Sequence, residues 1–153
     1  MATPIGNLGD LSERATAVLT GVAVVAAEDT RRTRPLLAKI GSTAKLESLH
    51  AHTDARKIDR LLDVIGSGRA IALVSDAGTP AVSDPGTRLI AGAHRRGYRV
   101  VPVPGPSAVT AAVSASGFGA DRFTFLGFLP RKGKQRRETL ALIRLAIWPT
   151  VLF

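Results

Sequence analysis

The sequence predicts an α/β fold, a mostly parallel sheet flanked by helices, followed by a fragment of a second α/β domain. Three observations carry this. Unbroken apolar runs at 22–27 and 70–74 are long enough for buried strands and too short for helices. Segments with apolar residues at helical spacing alternate with such runs, the pattern of a parallel sheet covered by helices. The runs end in Gly, Pro, Asp or charged residues, so the chain turns at the carboxyl edge, where open α/β sheets hold ligands.

Residues 3–10 form a turn-rich opening. A helix is predicted over 11–19, with Ser12 as its cap and Leu11, Ala15, Val18 and Leu19 on one face; Gly21 ends it. The strand 22–27 meets a charged edge at 28–34, which feeds a helix running through Ile40. A short strand at 46–49 precedes His50. The helix 55–65 places Ile58, Leu61, Leu62 and Ile65 at helical spacing. After the strand 70–74 comes a loop rich in turn residues, Ser75-Asp76-Ala77-Gly78-Thr79-Pro80 and then Ser83-Asp84-Pro85-Gly86. Its glycines permit close backbone approach and its prolines stiffen it. It reads as a site; the alternative is a crossover loop whose aspartates cap the next helix. A helix at 87–96, a strand at 99–103, a sharp turn at 104–108 and an apolar helix at 109–116 follow.

At 117–121 the pattern changes to that of a linker. This divides the chain into an N-terminal α/β domain, 1–119, and the start of a second domain, 120–153. In the second part, 123–129 is a strand-like aromatic run, 131–137 is basic, 138–147 is helical and a new strand begins near 149. The chain therefore reads as truncated within that domain. At the other end only Met1 to Thr3 precede Pro4, where an α/β domain calls for a full strand; missing upstream residues and a stub of a strand both fit.

The 153 residues suit one domain and their 45% hydrophobic content suffices for a packed core. With 21 Lys and Arg against 12 Asp and Glu, the net charge is +9, which suits a polyanion such as RNA. Arginine dominates, favouring forked contacts to phosphate. The absence of cysteine excludes disulfides, thiolate metal sites and cysteine nucleophiles. No apolar run approaches the ~20 residues of a membrane span and no signal-peptide pattern opens the chain, so a cytoplasmic location is expected.

Four loops follow strands, at 3–10, 28–34, 75–86 and 104–108, and in a right-handed parallel sheet they converge on one edge. The first has glycines but neither the Lys-Ser/Thr pair nor the Gly-x-Gly-x-x-Gly spacing of nucleotide-binding loops. Six ordered motifs identify the chain more closely: Thr-Pro-Ile-Gly-Asn-Leu-Gly-Asp, Ala-Glu-Asp-Thr-Arg, Ser-Asp-Ala-Gly-Thr-Pro, Ser-Asp-Pro-Gly, Val-Pro-Gly-Pro-Ser-Ala and Gly-Phe-Leu-Pro-Arg-Lys. Together they resemble the ribosomal small-subunit RNA methyltransferase I family of the tetrapyrrole-methylase superfamily, from Thr3 to the end of the chain. The resemblance implies an S-adenosylmethionine-dependent 2′-O-ribose methyltransferase acting on a cytidine in the decoding region of small-subunit ribosomal RNA, in the assembled subunit. It also implies two α/β domains with the cofactor in the cleft between them, and a homodimer.

By that resemblance Ser75, Asp76, Ala77, Gly78, Thr79 and Pro80 line the cofactor pocket together with Pro4, Ser107 and Ala108. Asp76, Ala77 and Gly78 are the expected direct contacts, largely through the backbone. Ser107 also reads as a helix cap after Pro106. A ribose hydroxyl is a weak nucleophile until its proton leaves, so a general base is expected. Asp29 is the first candidate and Glu28 the second, both placed where a buried strand meets the presumed cleft. The alternative is that they pair with Arg31 or Arg32 and shape the loop. Arg131, Lys132, Lys134, Arg136 and Arg137 form the densest basic cluster, directly after Phe123, Phe125 and Phe128. The alternate spacing of the aromatics reads as core of the second domain. The cluster reads as a solvated loop or, as the resemblance implies, an RNA contact. Arg31, Arg32 and Arg34 form a second patch. His50 and His52 share a strand-end face; no third ligand for a metal is evident, and the readings are a solvated loop first and an RNA contact, at His50, second. His94 reads as surface.

Two other readings stand beside this one. A methylase of a tetrapyrrole or corrin precursor is disfavoured because the opening loop lacks the Gly-Pro-Gly pattern of that branch. The second is a non-catalytic RNA-binding or dimerising fragment.

Overall fold

The computed structural model describes residues 1–119 and 121–153. They form two compact units, Met1–Pro106 and Ser107–Phe153. The first contains a three-stranded parallel sheet in the order β2-β1-β3, from β1 (Val24–Ala27), β2 (Lys45–Ser48) and β3 (Ile71–Val74). The α/β class expected from the sequence is the class observed.

Central β1 is buried at every position, and its alternation divides the core into two. Val24 and Ala26 face a cluster built from Ile58, Leu61 and Leu62 of α3 (Ala55–Gly66) and Leu89 and Ala93 of α4 (Thr87–Arg95). Val25 and Ala27 face the other side, with Leu19 of α1 (Glu13–Gly21) and Leu37 of α2 (Thr30–Lys39). Side chains of a strand alternate between faces, so a fully buried strand needs helices on both. The chain moves from β1 out to β2 and then back across β1 to β3. A constant crossover hand requires the connecting helices α2 and α3 to lie on opposite faces, and they do.

Local signals set the helix starts. Ser12 Oγ accepts the Ala15 N–H at 3.1 Å, the expected cap for α1. Asp29 and Asp54 cap α2 and α3 by accepting the N–H groups of Arg31 and Arg56. Each supplies an oxygen to an otherwise unpartnered N–H of the first turn.

The strand expected at 99–103 does not form. Met1 to Thr3 pass beside β3: the N-terminal ammonium donates to Leu73 O at 2.7 Å, and the Ala2 N–H to Val103 O at 3.1 Å. That single bond is the pairing 99–103 receives from them, and Val100 and Val101 stay exposed. An extended apolar segment becomes a strand only when a neighbour takes up its backbone groups.

The second unit comprises α5 (Ala108–Ala115), β4 (Thr124–Phe125), α6 (Gly133–Arg144) and β5 (Thr150–Val151). Strands β4 and β5 are parallel and joined through α6, a β-α-β unit. The expected strand 123–129 reduces to two residues because Gly127, at φ +68°, breaks the extended run; beyond it Leu129 still donates to Phe153 O. Helix α6 starts at Gly133 instead of 138, so Lys134, Arg136 and Arg137 lie on a helix. Compactness divides the chain before α5, whereas the composition change falls after it. The linker expected at 117–121 contains Ala120, outside the described residues. The division into domains at 119 is a proposal.

Leu19 is fully buried among Val25, Ala27 and Leu37. Leu19→Ala is expected to cost about 2–5 kcal/mol of stability in urea unfolding, the range for a buried leucine that leaves a cavity. A loss below about 1 kcal/mol would contradict the packing of that face.

Candidate active site

The sheet has its switch point between β1 and β3. From β1 the chain leaves to α2 on one face; from adjacent β3 it leaves to α4 on the other. Loops that diverge from neighbouring strands leave a crevice at the carboxyl edge. Glu28 and Asp29 come to it from β1, and Ser75 to Gly86 from β3.

The loops are tied together by specific bonds. The Asp29 N–H donates to Asp76 Oδ1 at 2.9 Å, and Arg32 Nε lies 3.5 Å from Asp76 Oδ2. Thr3 and Gly78 exchange backbone hydrogen bonds of 2.9 and 3.0 Å, and Thr3 Oγ1 donates to Ser75 O at 3.2 Å. Gly78 sits at φ +78°, where a side chain is strained. A Cβ there would lie 3.5 Å from Ile5 Cγ2 and 3.8 Å from Pro106 O, so three loops of the first unit meet at this glycine. Ser75 is buried with its hydroxyl toward Gly78 O, while Ala77 and Thr79 are exposed on the loop. Pro4 is half-buried beside Thr3.

Beside the crevice lies a cavity of about 550 Å³ lined by Glu28, His50, Thr53, Ser83, Asp84 and Arg88, among others. Ala81 and Ser83 adopt φ of +66° and +62°, a conformation that non-glycine residues rarely hold and that clusters at functional loops. Arg88 is fixed by donating to Thr53 O at 2.7 Å. A second cavity, about 350 Å³, has Thr79 and Pro80 in its wall and is otherwise mostly apolar, with Arg99 and Met1, which bears the N-terminal ammonium, among its lining residues. The first cavity is the more polar of the two and holds Glu28 and Asp84, whereas Thr79 and Pro80 line the second.

The two carboxylates at the end of β1 differ. Asp29 accepts from Arg31 through Nε and Nη2, the latter at 2.7 Å, and from the Arg31 N–H at 2.8 Å. These bonds hold its pKa down to about 2. Burial, reinforced by the charges of Asp76 and Asp84, pushes Glu28 the other way, above the usual carboxylate range. Burial also raises Asp84, with Asp76 nearby adding to the effect. Asp29 is thus a helix cap closed by an arginine, and Glu28 is the more basic group facing the cavity.

Of the other candidates, His50 lines the cavity and His52 is exposed. Arg31 is engaged by Asp29 and Arg32 by Asp76. Ser107 and Ala108 open α5 in the second unit; the Ser107 side chain makes no capping bond. Arg131, Lys132 and Arg137 are exposed, and Arg136 donates to Pro130 O at 3.1 Å. Among the described residues no three His, Asp or Glu side chains are grouped to hold a metal, and no helix is long and apolar enough to cross a membrane. Arg88 lies in no motif; Thr3 and Asp84 lie in the Thr-Pro-Ile-Gly and Ser-Asp-Pro-Gly runs, but are not among the site residues expected from the sequence.

A doubly covered sheet with its polar crevice at the switch point defines a ligand-binding α/β domain. Residues 2–147 match the model of the tetrapyrrole (corrin/porphyrin) methylases, and the chain belongs to that family. It is 54% identical over 140 residues to a ribosomal RNA small subunit methyltransferase I of Xylella fastidiosa (strain Temecula1), covering 92% of this chain and 51% of that protein. A protein of the same name from Vibrio cholerae serotype O1 is 51% identical over 138 residues, 90% of this chain and 48% of its own length. The one from Mesorhizobium japonicum is 46% identical over all 153 residues, 52% of its length. The resemblance read from the six motifs is borne out. The chain spans about half the length of these relatives.

Because Arg31 depresses Asp29, Arg31→Gln is expected to return the Asp29 carboxyl toward its ordinary 3.8 from about 2, followed by NMR titration. The sign follows from the depression. The ion pair's contribution is present above pH 3.8 and is lost as pH falls through about 2. An Asp29 that titrates identically in the variant would contradict the pair.

Proposed function

We propose that this chain carries the first part of an S-adenosylmethionine-dependent methyltransferase that methylates the 2′-hydroxyl of a cytidine ribose in the decoding region of small-subunit ribosomal RNA. Family membership and the names of the relatives support the reading. The observation that carries it is the crevice between β1 and β3, where Glu28 faces a polar cavity beside the Ser75-to-Pro80 loop. A cytoplasmic homodimer acting on the assembled subunit belongs to the same proposal.

The residues fit the cofactor's chemistry. Gly78 packs against the Ile5 side chain and Pro106 O, which fixes the path of the loop on either side of it. Asp76 and its neighbours supply oxygens for an ammonium and a sulfonium, and Ala77 and Thr79 keep the wall low. Pro4, Ser107 and Ala108 join this set on the strength of their motifs. When bound, the cofactor supplies a methyl group already activated on a sulfonium, so positioning provides most of the gain. Glu28 would take the proton of the ribose hydroxyl as that oxygen accepts the methyl group the cofactor would supply. Glu28 replaces Asp29 as the first candidate base, since Asp29 is committed to Arg31 and to the α2 cap. Asp76 holds the two loops in register. The basic residues 131–137, on α6 and just before it, and Arg31, Arg32 and His50, at or near the crevice in the first unit, are the proposed RNA contacts.

In the family-length protein Glu28→Gln is expected to lower kcat by roughly 10²–10⁴-fold, the usual worth of a general base. Asp29→Asn should leave most of the rate. The acid limb of kcat/KM against pH should lie above the ordinary carboxylate range, where Glu28 titrates. Wild-type turnover by Glu28→Gln on small-subunit particles would remove Glu28 from the mechanism.

A further inference from the structure

Along the flank of the sheet, edge strand β2 and helix α3 frame a groove of about 270 Å³. It runs from Lys45 and Arg69 at the amino ends of the strands to Lys57, whose Nζ donates to Ser48 Oγ at 2.9 Å. Four cations line it, Lys45, Lys57, Arg60 and Arg69, together with one carboxylate, Glu47, over an apolar floor. Glu47 is fully engaged: Lys45 Nζ approaches it to 2.7 Å and Lys57 Nζ to 3.3 Å, and the Lys45 bond is the main cause of its lowered pKa. The other acids of α3 are turned elsewhere. Asp59 and Asp63 each bond Arg96 at 2.7 Å, and Asp54, just before α3, caps the helix. Among the described residues Arg60 and Arg69 make no ion pair, and the Arg69 guanidinium donates only to Ser67 Oγ at 3.3 Å.

Four like charges in one groove, with a single carboxylate already shared by two of them, repel one another. An anion relieves that repulsion, and two arginines offer forks matched to phosphate oxygens. The groove is smaller than the ~300–1,000 Å³ of pockets that enclose a whole small ligand. It therefore fits a phosphate of a continuous backbone, with the attached sugar and base outside. An overall charge of +9 points the same way. We propose that the groove of Lys45, Lys57, Arg60 and Arg69 binds the phosphodiester backbone of the ribosomal RNA substrate, a second anchorage along the β2 edge of the sheet that shares no residue with the crevice cavity. This rests on the reading above that the substrate is RNA.

The test compares the family-length protein with its Arg60→Gln/Arg69→Gln variant, both positions being exposed. Binding to small-subunit particles is measured against KCl concentration, and inorganic phosphate is titrated separately. The variant should bind about tenfold more weakly near physiological salt, with a log–log salt slope shallower by ~1–2, as expected for one or two lost phosphate contacts. Arg60→Lys/Arg69→Lys should restore most of the slope, and affinity for S-adenosylmethionine should not change. An unchanged slope, with wild type binding the particles normally, overturns the groove and leaves the RNA reading standing. A wild type that binds no particles overturns both. Loss of inorganic phosphate binding with particle binding intact makes the groove a free-anion site and also overturns the proposal.

Discussion

Two neighbouring strands whose outgoing loops leave on opposite faces of the sheet impose one constraint from which the rest of this molecule follows. Because β1 lies between β2 and β3 and both its faces are buried, it must be apolar throughout and needs helices on either side. Those helices can be reached only by loops that part above β1 and β3. The gap cannot be filled by a continuous layer of apolar side chains. It is held by hydrogen bonds instead: Asp76 to the Asp29 N–H, and Thr3 to Gly78 and Ser75. The polar residues of the candidate site thus hold the first unit's loops together as well as forming its surface.

That double role explains how two adjacent carboxylates come to differ. Asp29 sits where α2 begins, so its oxygens go to the first N–H groups of the helix and to Arg31, and its negative charge is stabilised. Glu28, one residue earlier, takes the position where the strand's burial continues, with Asp76 and Asp84 close enough to repel its charge. A helix start thus leaves one acid charged and spent as a cap and the other more basic and facing the cavity. Charge is sorted on a larger scale too. Acids on one flank of α3 meet Arg96, which leaves the opposite flank basic toward the edge strand.

The buried strands 22–27 and 70–74 were legible because both faces of an interior strand are apolar, a pattern visible without any knowledge of neighbours. Ser12 as a cap was legible because its bond to Ala15 spans three residues. The strand at 99–103 was misread for the complementary reason: Arg-Val-Val-Pro-Val has strand propensity, but pairing depends on residues a hundred positions away, and Ala2 supplies one bond. The start of α6 was placed late because Gly133 and a run of cations resemble a loop. At the site, the loops that converge were legible from where strands end. Which carboxylate is free was not, because the two-residue contact between Asp29 and Arg31 competes with catalysis for the same oxygens. Arg88 gave no local sign, and the run that holds Asp84 did not show that Asp84 would share a cavity wall with Glu28 and Arg88.

The central claim is that the loop after β3, held to the end of β1 by Asp76, forms part of a cofactor site. Calorimetric titration of S-adenosylmethionine into the family-length protein, wild type against Asp76→Ala, tests it most directly, with circular dichroism to show that both are folded. The account predicts saturable binding in the wild type that is weakened at least tenfold in the folded variant. Equal affinity in the two would contradict it and move the site away from this edge of the sheet.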